Sequence, residues 1–287
     1  MLSYRHSFHA GNFADVLKHI VLLEITSHLL KKDKPFDYID THAGAGMYDL
    51  HSYEACKLGE FKRGVGLLNS LDYPELANYF ELIETVNRTP GKLENYPGSP
   101  FFALSVMRAE DRAHLYELHA KDYTLLKKLI STENQFAADA QVHHKDGYAG
   151  LLQTLPPASR RALVLIDPSY EVKSEYQTMI DALIRAHKKF ATGIYAIWYP
   201  VVDRARITQV DNILYKSGIK DIQRFELSLS EDSDEKGMTA SGLWVINPPW
   251  GLLNKMQSIL PKLKRDLTVE TNKRSKASYR CEVLVKE

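Results

Sequence analysis

Phe36-Asp37-Tyr38-Ile39-Asp40-Thr41-His42-Ala43-Gly44-Ala45-Gly46 is the stretch whose reading decides the fold. Its first five residues, set off by Pro35, form a short apolar-rich strand, and from the last of them, Asp40, the chain turns with the pattern Asp-x-x-x-Gly-x-Gly. In a parallel sheet the turn after the first strand faces the ligand crevice, and glycines there let backbone approach a bound molecule closely. A dinucleotide site would continue G-x-G-x-x-G straight into a helix to hold pyrophosphate. Tyr48-Asp49 stands at that point and suits phosphate poorly. Asp40, Gly44 and Gly46 are therefore candidate cofactor residues of another kind, although a tight structural turn would carry the same letters.

Upstream, Asn12 followed by Asp15 is a near-variant of the capping box. Phe13, Val16, Leu17, Ile20, Val21, Ile25 and Leu29 then recur at helical spacing, which predicts an amphipathic helix over residues 13 to about 31, closed by Lys31-Lys32. Downstream, residues 48–96 read as a small helical subdomain inserted after the glycine turn, with helices over 57–70 and 74–88 and poor strand signals. Strand-like runs resume at Ala113–Leu118, Gln141–His144, Ala162–Ile166, Gly193–Trp198, Asp221–Leu227 and Gly242–Ile246. Helical stretches at 99–109, 121–132, 147–154, 174–189 and 201–217 fall between most of them. Strands alternating with helices imply one α/β domain over 1–287, a mostly parallel sheet covered on both faces.

The strand ends carry acids. Glu117 closes Leu115-Tyr116-Glu117, where a carboxylate accepts hydrogen bonds from ribose hydroxyls. Asp146-Gly147 follows the strand Gln141–His144, where an acid suits the amino group of an adenine ring. Asp40 in turn suits the ammonium of a methionine moiety, so the three together point to S-adenosylmethionine. Any one of them alone reads as a helix cap.

The strand Ala162-Leu163-Val164-Leu165-Ile166 breaks into Asp167-Pro168-Ser169-Tyr170. This resembles motif IV, D/N/S-P-P-Y/F/W, of methyltransferases acting on exocyclic amino nitrogens of bases. An adenine N6 lone pair is delocalised into the ring and is a poor nucleophile. Asp167 and the Pro168 carbonyl are placed to accept its two N–H groups and aim the lone pair at an electrophilic methyl. Tyr170 offers a face on which an extruded base stacks. Ser169 stands where the motif has a second proline, which alters the rigidity of the turn more than its chemistry. Asn247-Pro248-Pro249-Trp250 matches the motif more fully and also follows a strand. Strand order favours Asp167, because several strands would separate Asn247 from Glu117 and Asp146.

A hydrophobic share of 44%, a charged share of 25% and a net charge of +1 are those of an ordinary soluble protein. No apolar run reaches the ~20 residues that span a bilayer, and Met1–His6 lacks a signal-peptide core. Cys56 and Cys281 match no metal spacing, so no metal is expected, and a reduced, cytoplasmic enzyme fits best. Basic clusters lie at Arg5, His6, His9, Lys18 and His19 and again over Lys262–Arg280. Such clusters are more often solvated faces than nucleic-acid contacts.

The runs Leu2–His19, Asp40–Gly46, Tyr96–Pro100, Ala191–Ala196 and Gly237–Gly242 closely resemble the bacterial RlmJ family of 23S ribosomal RNA adenine-N6 methyltransferases. The resemblance covers nearly the whole chain and weakens over 47–95 and the last thirty residues. It implies a Rossmann-like methyltransferase fold with a small helical insertion, S-adenosylmethionine as cofactor, and adenine 2030 of 23S RNA as target. Because the base must be extruded into a pocket, naked or partly assembled RNA is the expected substrate. It places cofactor contacts on Lys18, His19, His42, Ser99, Glu117 and Asp146-Gly147, the catalytic acid on Asp167, and an RNA-contacting aromatic on Tyr4, beside Arg5 and His6. A monomer away from membranes is expected. The alternatives are a DNA adenine-N6 methyltransferase, and a nucleic-acid-binding protein serving use of external DNA on a methyltransferase fold.

Overall fold

The computed structural model describes residues 5–89, 91–132, 136–233, 237–268 and 276–287. Asn12 opens the first helix, α1 (Phe13–Leu30), as its spacing from Asp15 predicts. Its Oδ1 accepts from the amides of Ala14 and Asp15, both at 3.0 Å. The Asp15 carboxylate reaches back one residue further than in a capping box, to the amide of Gly11 at 2.9 Å. The expected amphipathic character is corrected. α1 is buried almost all round, Lys18 and His19 included. The sheet lies on one side of it and three further helices pack on the others.

β1 (Asp37–Asp40) is the hinge of the sheet. It pairs in parallel with β4 (Arg112–Tyr116) on one side and β6 (Ala162–Ile166) on the other, in the registers Asp40↔Leu115 and Asp40↔Leu165. β5 (Asp139–His143) lies outside β4, and β7 (Ile194–Val201) outside β6, both parallel. Beyond β7 the direction alternates. β9 (Ala240–Ile246) runs antiparallel to β7, β8 (Ile222–Ser228) antiparallel to β9, and β10 (Ser278–Val285) antiparallel to β8. The order is β10-β8-β9-β7-β6-β1-β4-β5. The chain changes direction across the sheet between β1 and β6, and the crevice at such a switch point is where α/β folds bind ligands. This is the α/β, Rossmann-like fold of methyltransferases.

Helices α1, α4 (Ser99–Leu104), α5 (Ala120–Thr132) and α9 (Leu252–Leu267) bury their apolar side chains on one face of the sheet. Helices α6 (Gly147–Thr154), α7 (Glu175–Lys189) and α8 (Arg204–Lys216) cover the other. No described helix is long and apolar enough to cross a membrane.

The segment after the glycine turn departs from expectation. Instead of two helices over 57–70 and 74–88 it holds α2 (Tyr53–Leu58), four short 3-10 turns between Glu60 and Leu76, and α3 (Ala77–Thr85). Gly59, with φ of 60°, ends α2, and Gly64 separates the first two turns. Two short strands, β2 (Met47–Asp49) and β3 (Asn95–Pro97), pair antiparallel and bring the two ends of the segment together. The helix expected over 99–109 is one turn and a half, ending at Leu104.

Candidate active site

A cleft of about 790 Å³ opens at the carboxyl ends of β1, β4, β5 and β6. Every parallel strand from β5 to β6 delivers a loop to it, which is why acids far apart in sequence meet there. Asp167 leaves the end of β6, and its Oδ2 accepts from Lys18 Nζ at 2.6 Å. Lys18 also pairs with Asp15 Oδ1 at 2.9 Å, and Asp15 Oδ2 meets His6 Nε2 at 2.8 Å. The N-terminal segment is thereby joined to Asp167 through one buried ammonium. Burial opposes charge on Lys18, yet Asp15 and Asp167 hold its pKa above the ordinary value. Burial likewise opposes charge on Asp15, but His6 and Lys18 keep its pKa well below the usual carboxylate range.

Pro168, Ser169 and Tyr170 follow Asp167 along the cleft wall. Tyr170 adopts a left-handed backbone, φ 53°, and its hydroxyl donates to the Trp198 carbonyl at 2.8 Å. Its ring lies 4.2 Å from that of Tyr176 and 5.9 Å from Trp198, so the wall beside Asp167 is aromatic. Trp198, Tyr176 and Tyr148 line the cleft without having been singled out in the sequence. Tyr148 directly follows Asp146-Gly147, which is the one signal that pointed to it.

Glu117 accepts from the amide of Gly44 at 2.8 Å and of His119 at 2.6 Å, tying the end of β4 to the glycine turn. Burial raises its pKa. Asp146 caps α6 through Oδ1, 2.7 Å from the Ala149 amide. A Cβ on Gly147 would overlap the carbonyl oxygen of Thr41, and one on Gly44 the hydroxyl of Tyr48. His42 is pushed down to about 4 by burial, and its Nδ1 lies 2.8 Å from the Thr41 hydroxyl. His19 and Ser99 also line the cleft. Burial, followed by the neighbouring Lys18 and His6 against Asp15, drives the His19 pKa well below its ordinary value.

Two residues read as cofactor contacts are not brought to the wall. Asp40 is wholly buried beneath it and accepts from the hydroxyls of Tyr38 and Ser99, both at 2.7 Å, and from the His42 amide at 3.2 Å. Burial pushes its pKa up to about 6. Asp40 therefore shapes the turn from below and holds Ser99 in place. Gly46 turns away toward Leu126 and Leu129. Of the proposed RNA contacts, His6 lines the cleft, Arg5 pairs with Glu54 at 2.8 Å, and Tyr4 lies outside the described residues.

The rival Asn247-Pro248-Pro249-Trp250 lies on the opposite rim of the sheet, at the amino ends of the parallel strands. β9 runs against β7, so its end meets the beginning of β7, with Ile246 opposite Tyr195. Asn247 Nδ2 donates to the carbonyls of Ala191 and Gly193, both at 2.7 Å, and stitches that rim together.

A switch-point cleft with Asp-Pro-Ser-Tyr at one strand end and acids at the neighbouring ends defines the class: a Rossmann-like methyltransferase. The family model described as "Ribosomal RNA large subunit methyltransferase D, RlmJ" matches residues 33–279. Proteins named ribosomal RNA large subunit methyltransferase J are similar over most of the chain. The Haemophilus influenzae one is 48% identical over 274 residues, covering 94% of this chain and 95% of that one. The Escherichia coli one is 49% identical over 269 residues, covering 93% and 94%. A solved Legionella pneumophila structure, 38% identical, superposes with a TM-score of 0.85 over 96% of this chain and 98% of that one. The chain belongs to the RlmJ family of ribosomal RNA large subunit methyltransferases.

Proposed function

We propose that this enzyme transfers a methyl group from S-adenosylmethionine to the exocyclic N6 of an adenine in 23S ribosomal RNA. One observation carries the reading. Asp167-Pro168-Ser169-Tyr170 ends the strand next to β1 and shares a single cleft with Glu117, Asp146 and the glycine turn. The family is one of ribosomal RNA large subunit methyltransferases, which supports that substrate class for this chain.

The cleft fits the cofactor. His19 Nε2 and the Tyr148 hydroxyl are buried polar atoms with no partner among the described residues, and both side chains line it. Gly147 and Gly44 let the two turns that border the cleft pack against the Thr41 carbonyl and the Tyr48 hydroxyl, where a Cβ would overlap them. Glu117 suits the ribose hydroxyls, and Asp146 suits the adenine amino group through the oxygen its cap leaves over. Lys18, His19, His42 and Ser99 surround the methionine end, and Asp40 acts through Ser99 and the turn. The sulfonium supplies the electrophilic methyl.

Asp167 presents Oδ1 to an N–H of the target amine while Lys18 holds Oδ2. The Pro168 carbonyl takes the second N–H, so the lone pair points along the remaining direction. As the N–C bond formed and the bond from the methyl carbon to sulfur broke, leaving its electron pair on a neutral thioether, the nitrogen would shed one N–H proton toward Asp167 and solvent. Tyr170 and Trp198 exclude water and hold the extruded base by stacking, an effect of roughly 1–3 kcal/mol per base. A base must leave its helix to reach this depth, so naked or partly assembled RNA is the expected substrate. His6, which lines the cleft, and Arg5 beside it would meet the RNA. We read 48–96 as an insert of the one methyltransferase domain, placed to floor the cofactor end.

Labelled methyl transfer to protein-free 23S RNA, followed by nucleoside mass spectrometry, tests the assignment. N6-methyladenosine should form, and Asp167→Asn should lower the rate at least about 100-fold while S-adenosylhomocysteine still binds. Equal transfer to DNA, or a strong preference for mature subunits, would overturn it.

A further inference from the structure

His19 in α1, Tyr96 in β3 and Tyr79 in α3 form a buried chain of polar atoms outside the reacting centre. His19 Nδ1 lies 2.9 Å from the Tyr96 hydroxyl, and that hydroxyl lies 3.1 Å from the hydroxyl of Tyr79. All three side chains are buried. Phe102 seals the cluster, 4.7 Å from the His19 ring and stacked at 5.4 Å on Tyr79. The other end of the imidazole, Nε2, is buried without a partner among the described residues, in a side chain that lines the cleft.

Protons run along this chain in one of two directions. If Nδ1 carries the hydrogen it donates to Tyr96, Tyr96 donates to Tyr79, and the Tyr79 O–H is left with no described acceptor. The cleft then meets a bare Nε2. If the chain runs the other way, Tyr79 donates to Tyr96 and Tyr96 donates to Nδ1. Each hydroxyl proton is then used, and the one remaining N–H is on Nε2 at the cleft wall. Each direction leaves one buried donor over, the Tyr79 hydroxyl inside the fold or Nε2–H in a side chain that lines the cleft. Only the second has space beside it for an acceptor on a bound molecule, so the second direction is the one that occupancy of the cleft satisfies. The partner of one imidazole nitrogen thereby decides what the other offers.

We propose that Tyr96 is a positioning residue that holds His19 in its Nε2–H tautomer, so that the cleft presents a hydrogen-bond donor to an oxygen of the bound cofactor. This rests on reading the cleft as the S-adenosylmethionine site. It gives the segment after the glycine turn a part in cofactor binding, because β3 supplies the hydroxyl that sets the tautomer and α3 the hydroxyl that supports it.

Nitrogen-15 NMR of the imidazoles, with calorimetry of S-adenosylhomocysteine, tests it on the intact enzyme. In the parent protein the His19 resonances should be those of an Nε2–H imidazole. Tyr96→Phe should shift them toward Nδ1–H and weaken binding about tenfold, the loss of roughly one hydrogen bond. Tyr79→Phe removes a hydroxyl from the same cluster without touching His19, and should cost less and leave the tautomer in place. An Nδ1–H imidazole in the parent protein, or unchanged affinity in Tyr96→Phe, would overturn the proposal. If the parent protein binds no S-adenosylhomocysteine, the cofactor reading falls and takes the donor's target with it. The tautomer assignment is then decided by the NMR spectrum alone.

Discussion

Lys18→Met removes the ammonium that stands between Asp15 and Asp167 at 2.9 and 2.6 Å. The three side chains are 5%, 2% and 13% exposed, so water screens them little. Removing one member of a buried ion pair costs about 3–5 kcal/mol, because the partner is left charged and uncompensated. Asp15 keeps His6 and the Gly11 amide, and Asp167 borders the cleft, so the lower end, about 3 kcal/mol, applies. For a domain of this size that is a fall in melting temperature of roughly 6–12 °C. The pH dependence carries a sign. The folded-state pKa of Asp15 is depressed, so its stabilisation is present above the unfolded value near ~4 and is lost as pH falls through the folded one. Lys18→Met forfeits part of that stabilisation, so its deficit should be largest at neutral pH and shrink on acidification below about pH 4. Thermal melts of both proteins from neutral to acidic pH measure it, and adding Asp15→Asn should recover part of the loss. A deficit under about 1 kcal/mol at pH 7, or one that does not shrink in acid, would refute the view that Lys18 neutralises two buried carboxylates.

Asn247→Ala should destabilise the fold by about 1–3 kcal/mol in denaturant melts, through two lost hydrogen bonds on the far rim. Its methyl-transfer rate per folded molecule should match the parent enzyme, and a dead but folded variant would restore Asn247 as the motif IV residue. Gly147→Ala should lower the melting temperature and weaken S-adenosylhomocysteine binding together, since its Cβ has nowhere to go but into the Thr41 carbonyl; unchanged values for both would show that α6 shifts freely. Burial raises Asp40 to about 6, so folding stability linked to it falls as pH rises from about 4 through about 6. Asp40→Asn should flatten the pH dependence of the melting temperature across that window, and an unaltered slope would place the titration elsewhere.

The parallel half of the sheet was legible because it is written in apolar runs that end in acids, as in Leu165-Ile166-Asp167. The α1 start was legible because a cap is a local interaction between Asn12 and the two residues ahead. Beyond such local signals the reading weakened. β2 and β3 have three residues each, too few for alternation to show, and the turns between Glu60 and Leu76 bury few side chains. α9 carries Pro261 inside it, and β10 is mostly exposed, so neither announces itself. The site divides the same way. Acids at strand ends follow from topology, whereas the pairing of Lys18 with Asp167 spans 149 positions and that of Asp40 with Ser99 spans 59. Asp15 was readable as a cap acid. Its i,i+3 spacing from Lys18 is a local signal for that ion pair, whereas nothing local announces the pairing with His6.

The reversal of β9 also sorts the chromophores. Of three tryptophans, Trp198 stands in the cleft wall, Trp244 is sealed within the sheet, and Trp250 is 92% exposed on the opposite rim. Each therefore senses a different medium, one the ligand, one the interior and one the solvent. An occupied cleft would alter the emission of Trp198, a soluble quencher would find Trp250 first, and loss of the fold would be needed to expose Trp244. The unlabelled molecule thus carries a reporter of occupancy with two internal references.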